Sequence, residues 1–240
     1  MKFLCPFKRE GPLFLEALAA SVIGGILCLD RIFLQVMVSR PVVAGTLTGF
    51  ILGDPQTGLI TGALVELLWI DRSPFGTIIP PNDSIASIII AASTIITGKI
   101  LGHSSRELIA VAVLLFIPLG ILGKQIDILV IGANERVSRD ALDDAEAGRD
   151  EEISRKQISG LIKTFLLTFC FLLGFILIAT EILLRVYPVI PPKLHLPLTY
   201  VYSFLPLLGI AVALSTVRMR GMMPVFCGVF LITTVIFDIL

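Results

Sequence analysis

Residues 39–87, SRPVVAGTLTGFILGDPQTGLITGALVELLWIDRSPFGTIIPPNDSIAS, decide how this chain folds. The stretch is apolar enough to lie in lipid, yet it is interrupted again and again. Arg40-Pro41 opens it. Gly45, Gly49 and Gly53 recur at every fourth position, Asp54-Pro55 breaks the run, and Gly58 and Gly62 resume the spacing. Glu66 stands inside the next apolar run, and Pro80-Pro81-Asn82-Asp83-Ser84 separates two more. A plain membrane anchor has no use for such breaks. Backbone groups left unpaired in hydrocarbon are costly, so broken helices survive there only when buried in protein or lining a wet cavity. A carboxylate at the bilayer centre costs about 2.5–3.5 kcal/mol on insertion scales. Ionisable groups and split helices together mark a solute path.

Composition points the same way. Of 240 residues, 55% are hydrophobic, and the mean hydropathy is +0.94. Runs of about 20 apolar residues recur, the length that crosses about 30 Å of hydrocarbon. The expected fold is all-α: a polytopic membrane protein of about six to eight segments, some re-entrant or broken. A membrane β-barrel would show short alternating segments instead. The net charge of zero points to no nucleic-acid partner. Cys5, Cys28, Cys170 and Cys227 are scattered without a CxxC pair, so neither disulfides nor a metal site are expected. His103 and His195 have no ligand or nucleophile companions, and no cofactor is implied.

Outward from the central block, residues 12–29 form a first apolar segment ended by Asp30-Arg31, a pair read either as an interfacial ion pair or as a gate. Gly24-Gly25 allows close helix contact there. Residues 32–53 form a second segment, broken or kinked at Arg40-Pro41 because the residue before a proline avoids the helical region. Gly45, Gly49 and Gly53 share one face of it and favour tight helix packing. Residues 56–70 are too few for a full span, so this segment is re-entrant or tilted. Trp69 is an interfacial belt residue or a stacking surface for a ligand. Pro80-Pro81 stops the strip 75–79, and Asn82, Asp83 or Ser84 caps a helix over 85–98. Its N-terminus presents free N–H groups and a positive pole to a polar solute. Residues 108–131 are apolar, kinked near Pro118 and Gly120, carry Lys124, Gln125 and Asp127, and close at Asn134.

Residues 135–157 hold the densest charge, mixed in sign; a helical, water-exposed, cytoplasmic loop is expected, a place for a soluble partner to dock. Spans are expected at 161–184, 198–217 and 222–240, with a proline-rich loop at 187–197. The chain reads as one membrane domain: a motif-bearing half (1–134), the charged loop (135–157) and a C-terminal helical half (158–240).

With these motifs in place, the sequence resembles the IIC subunit of the mannose/fructose/sorbose family of the sugar phosphotransferase system. The resemblance rests on SRPVVAGTLTGFILGD, TGLITGALVELLWI and PPNDSIAS, on Asp30 and Gln35 before the Arg-Pro, and on IPLGILGKQIDI before Asn134. It implies a permease subunit of the bacterial cytoplasmic (inner) membrane that works with a IID membrane subunit as a homo-oligomer of IIC–IID pairs. Such a subunit passes a hexose or related sugar inward, and a soluble IIB protein, charged through IIA, phosphorylates it. The IIC chain itself carries no phosphorylated residue. On this resemblance Glu66 accepts hydrogen bonds from sugar hydroxyls, Asn82 and Asp83 fix the sugar at the broken helix, Gln35 belongs to the same binding set, and Asp54 and Gln56 either line that cavity or merely cap the turn. Asp30, Arg40, Pro41, Gly45, Gly49, Gly53, Pro80 and Pro81 serve structure or gating. Arg40 is expected to pair with a carboxylate such as Asp30 or Asp54, since an unpaired buried charge is expensive. Where the family reads Pro-Pro-Asp, this chain has Pro80-Pro81-Asn82-Asp83. That departure leaves a second reading open, a chain that keeps the fold but carries little sugar and senses or regulates.

Overall fold

The computed structural model describes residues 10–71 and 79–216, with positions 224, 227, 228 and 231. The basic N-terminal residues 1–9, the turn at Arg72-Ser73-Pro74, most of the strip 75–79 and most of the run 222–240 lie outside the described residues. Among the described residues the chain is helical and without strands: α1 (Glu10–Leu29), α2 (Pro41–Ile51), α3 (Pro55–Leu68), α4 (Asp83–Leu101), α5 (Arg106–Phe116), α6 (Leu119–Glu146), α7 (Asp150–Val186) and α8 (Pro192–Thr216). α4, α7 and α8 are long and apolar enough to cross a membrane, and α5 with α6, bent by 47° at their break, forms a broken span or a re-entrant loop. Shorter apolar helices complete a multi-pass membrane protein.

α2 is the part of the second segment that follows the break at Arg40-Pro41, and α3 is the short helix the sequence leads one to expect. Their 11 and 14 residues rise about 16 and 21 Å, short of the roughly 30 Å hydrocarbon core. They form an antiparallel hairpin with backbones nearly in contact. A Cβ on Gly45 would sit 2.7 Å from the Gly58 carbonyl oxygen, one on Gly49 2.6 Å from that of Asp54, and one on Gly62 2.4 Å from that of Pro41. Gly53 departs from expectation. It is not on the packing face but in the turn, at φ +77° with open space around it. Residues 32–39 also depart: they are an irregular loop, not the first half of a helix, because helix α2 can begin only at Pro41.

α4 is the axis of the molecule. Every residue from Ser84 to Gly98 is buried, and α1, α2, α3, α5, α6 and α7 all pack on it. Its hydroxyls tie it to the hairpin: Ser84 Oγ donates to the Ser39 carbonyl, and Ser87 Oγ donates to the Pro41 carbonyl at 2.8 Å. α1 closes on α7 through Gly24 and Gly25, where added Cβ atoms would lie 2.7 Å from Leu172 and 2.9 Å from Phe165. Lys99 reaches Glu16 at 2.7 Å, joining α4 to α1. α8 packs on α3 and α5.

Pro118 sets the α5–α6 bend, since it offers no N–H to continue the ladder. α6 does not close at Asn134 but runs on to Glu146. α7 has 37 residues, about 55 Å, so it outreaches the hydrocarbon core. The charged segment is thus the tip of a helical hairpin, turned by Gly148 at φ +70°. Buried Asp144 holds that tip, paired with Arg149 at 2.6 Å and with Lys156. The expected loop at 187–197 is mostly absent: a short 3-10 turn spans Tyr187–Val189 and α8 starts at Pro192. His195 therefore lies on a helix, its ring edge-on to Tyr187.

Candidate functional site

Four helix ends meet at one place: the end of α1, the start of α2 with the loop 30–40 before it, the end of α3 and the start of α4. They border a partly open cavity of about 550 Å³ lined by Arg31, Gln35, Arg40, Glu66, Trp69 and Asp83, among others. That volume lies within the range of about 300–1,000 Å³ for small-molecule sites.

Glu66 and Arg40 come together because the hairpin is antiparallel. Arg40 precedes the first turn of α2, and Glu66 sits in the last turn of α3. Arg40 Nη1 lies 2.8 Å from Glu66 Oε1, and the Val42 N–H donates to Glu66 Oε2 at 3.0 Å. The carboxylate thus caps α2 in place of a local side chain, for Arg40 itself makes no cap. The pairing of Arg40 with Asp30 or Asp54 is corrected: Arg40 meets Glu66, and the other two acids have other work. Asp30, 4% exposed, accepts from the Val36 N–H at 2.9 Å, the Ser39 N–H at 3.1 Å and the Ser39 hydroxyl at 3.2 Å. It pins a loop in which Gln35 and Met37 both take positive φ, 53° and 66°, a conformation non-glycine residues seldom adopt. Asp54 caps α3 at the hairpin's opposite end, accepting from the Thr57 N–H at 3.1 Å and the Thr57 hydroxyl at 2.6 Å. It does not line this cavity.

The Pro80–Ser84 turn forms the facing wall. Asp83 pairs with Arg31 at 2.8 Å. Asn82, 1% exposed, is the N-cap of α4: its Oδ1 accepts from the Ile85 N–H at 3.0 Å and from Arg31 Nη1 at 3.3 Å. Its Nδ2 donates to both oxygens of Asp127, at 2.9 and 3.1 Å. Arg31 also donates to the Pro81 carbonyl at 3.5 Å. Pro80 lines a second, mainly apolar cavity of about 740 Å³, separated from the first by Arg31 and Gln35.

The first cavity therefore offers guanidinium donors and carboxylate acceptors in near balance, beside the indole of Trp69. Each carboxylate oxygen keeps lone pairs beyond its present partner. Such a site suits an uncharged ligand rich in hydroxyls, each of which both donates and accepts. The sequence reading of the site passed over Arg31 as the partner of Asp83, Asp127, and the glycines Gly120 and Gly123. Their signal was present: Gly120, Gly123 and Asp127 fall on one helix face, and an acid inside an apolar run needs a partner.

Comparison with known proteins bears on these findings. Residues 14–239 match the family described as PTS system sorbose-specific IIC component. Over 84 residues the chain is 40% identical to the putative N-acetylgalactosamine permease IIC component 2 of Escherichia coli K12, covering 35% of this chain and 63% of that one. Over 213 residues it is 24% identical to the sorbose-specific EIIC component of Klebsiella pneumoniae, covering 88% of this chain and 77% of the relative. The chain spans less than two thirds of the first of these relatives. A solved complex of the mannose transporter ManYZ with microcin E492 shares the fold, at a TM-score of 0.59 and 23% identity over 92% of this chain and 86% of its counterpart. With a family match that runs from α1 to the penultimate residue, and with the broken-helix architecture the family's motifs imply, the chain belongs to the sorbose-type IIC components of the sugar phosphotransferase system.

Proposed function

We propose that the chain is the sugar-translocating membrane subunit of a phosphoenolpyruvate-dependent phosphotransferase complex in the bacterial inner membrane. The cavity at the four element ends takes a hexose or an N-acetylated or keto relative. Glu66 and Asp83 accept hydrogen bonds from its hydroxyls, Arg40, Arg31 and Gln35 supply donors, and Trp69 covers its apolar face. Bonds to charged groups are worth about 1.5–3 kcal/mol each, enough to orient a polar solute that dispersion holds weakly. Asn82 contributes through the position it gives Asp83, since its own polar atoms are already engaged. A IID subunit completes the membrane complex as IIC–IID pairs. Soluble IIB, fed by IIA, meets the charged α6–α7 tip on the cytoplasmic side and phosphorylates the emerging sugar.

The observation that carries this reading is the cavity itself: basic and acidic side chains gathered around one partly open cavity where half-length helices end in a membrane protein. No feature of the described residues favours the sensing or regulatory alternative. The test is phosphorylation of N-acetylgalactosamine, mannose, sorbose and fructose by membrane vesicles holding this chain and a IID subunit, with IIA, IIB, the general phosphocarriers and phosphoenolpyruvate added. At least one sugar should be phosphorylated in a manner that needs both this chain and phosphoenolpyruvate. Vesicles that bind the partners yet phosphorylate none of the four would refute the proposal.

A further inference from the structure

α6 carries an acid that the proposed chemistry leaves unused. Asp127 is half-buried on the α6 face that also bears Gly120 and Gly123, and this face grips the start of α4 at three points. The Asn82 N–H donates to the Gly120 carbonyl at 2.8 Å. Gly123 leaves room for Asn82, for a Cβ there would lie 3.0 Å from the Asn82 Cβ. Asp127 takes the Asn82 amide with both oxygens. The same face also seats the indole: a Cβ on Gly120 would fall 2.1 Å from Trp69. Two walls of the cavity, Trp69 and the Asn82-Asp83 turn, therefore rest on one strip of α6.

We infer that Asp127 is a positioning residue for this cavity: by fixing the amide of Asn82 it aims Asn82 Oδ1 at Arg31 and thereby sets where Asp83 stands. The inference rests on the sugar reading for its ligand, but not for its geometry. The chemistry is directional. An amide has two donors on one atom and an acceptor on the other. With the Nδ2 group committed to Asp127, Oδ1 is left to cap Ile85 and to accept from Arg31 on the other side. Arg31 in turn divides its Nη1 between Asn82 and Asp83. Loss of the acid–amide contact frees the amide to rotate, and Arg31 and Asp83 lose their fixed reference. An acid at position 82 facing an acid at position 127 is worse still. Like charges about 3 Å apart do not both ionise.

An exchange of the two groups tests this. Asn82→Asp alone sets two carboxyls against each other. Asn82→Asp with Asp127→Asn restores one acid and one amide. The acid, now on α4, accepts from Ile85, from Arg31 and from the amide that α6 then carries. Full-length chain is assayed in vesicles with its IID, IIB and IIA partners against the four sugars named above. For Asn82→Asp, KM should rise about tenfold or more, the scale of one charge-assisted bond lost, while kcat holds within about twofold. The double exchange should return KM to within about threefold of wild type. Asp127→Asn alone should fall between, since two amides still make one neutral bond.

A readout independent of sugar comes from Trp69, the one tryptophan of the chain. Acrylamide quenching of its fluorescence in the purified chain should change in Asn82→Asp and recover in the double exchange. Wild-type KM and quenching in Asn82→Asp, or no recovery of either in the double exchange, would overturn the inference. If wild type uses none of the four sugars, the sugar reading fails by itself. Quenching then decides: changed and recovered, the positioning role stands; unchanged, it falls.

Discussion

Glu66 does two separable things, and two substitutions pull them apart. Its carboxylate caps α2 through the Val42 N–H at 3.0 Å and pairs with Arg40 at 2.8 Å. Glu66→Ala removes both. Loss of a cap costs about 0.5–2 kcal/mol. The ion pair contributes no more than about 1 kcal/mol, because the Arg40 side chain is 51% exposed. The sum is about 0.5–3 kcal/mol, or a fall of roughly 1–12 °C in Tm for a chain of this size. Glu66→Gln keeps an oxygen for Val42 and loses only the charge, so its Tm should fall by no more than about 4 °C. Sugar binding should follow a different order. Both variants lose the charged acceptor, and both should weaken Kd by about tenfold or more. Thermal unfolding and equilibrium binding of radiolabelled sugar, measured in one detergent, give both numbers. Glutamine with wild-type affinity would remove the carboxylate from the binding site. Alanine as stable as wild type would remove it from the cap.

Gly58→Ala puts a Cβ 2.3 Å from the Gly45 carbonyl oxygen; backbone cannot swing aside, so the hairpin should lose about 1–3 kcal/mol, read as a lower Tm. Asp30→Asn leaves one acceptor oxygen where two now serve three donors. Amide exchange at Val36 and Ser39 should then speed up about tenfold or more, the equivalent of about 1.4 kcal/mol. At the α6–α7 tip, Lys156 and Arg149 hold the Asp144 carboxyl below its ordinary value of 3.8. A depressed folded value means the stabilisation is complete above that ordinary value and is lost as pH falls through the lower, folded one. Spin labels across the tip should therefore stay close at neutral pH and separate only below the usual carboxylate range, whereas Asp144→Asn should separate them already at about pH 7.

The hairpin was legible because its signals are local and steric. Glycines at every fourth position permit close backbones, Asp54-Pro55 forces a break with its own cap, and the runs on either side are too short to span. The partner of Arg40 was not legible from charge alone, since Asp30, Asp54 and Glu66 all compete for it. The antiparallel geometry chooses: Arg40 and Glu66 are equidistant from Gly53, and the glycines that touch straddle the same turn. Ile32 to Ser39 misled for a related reason. Apolar composition reports burial in lipid or protein, not helix, and only the buried side chain of Asp30 shows that this loop is held by hydrogen bonds. Pro192 and Pro197 read as loop residues, yet Pro192 opens α8, where the N–H is unsatisfied anyway, and Pro197 lies inside the helix at the loss of one ladder bond. That Asp127 needed a partner could be read from its place in an apolar run, but not which partner, because Asn82 lies far away in sequence.

The most direct test of the central claim, that the ionised cavity at the helix ends holds the sugar, is a high-resolution map of this chain in lipid with its sugar bound. The account predicts ligand density between Glu66, Asp83 and Trp69, with hydroxyls within hydrogen-bonding distance of both carboxylates. Ligand density elsewhere, with Glu66 still occupied only by Arg40 and Val42, would contradict it.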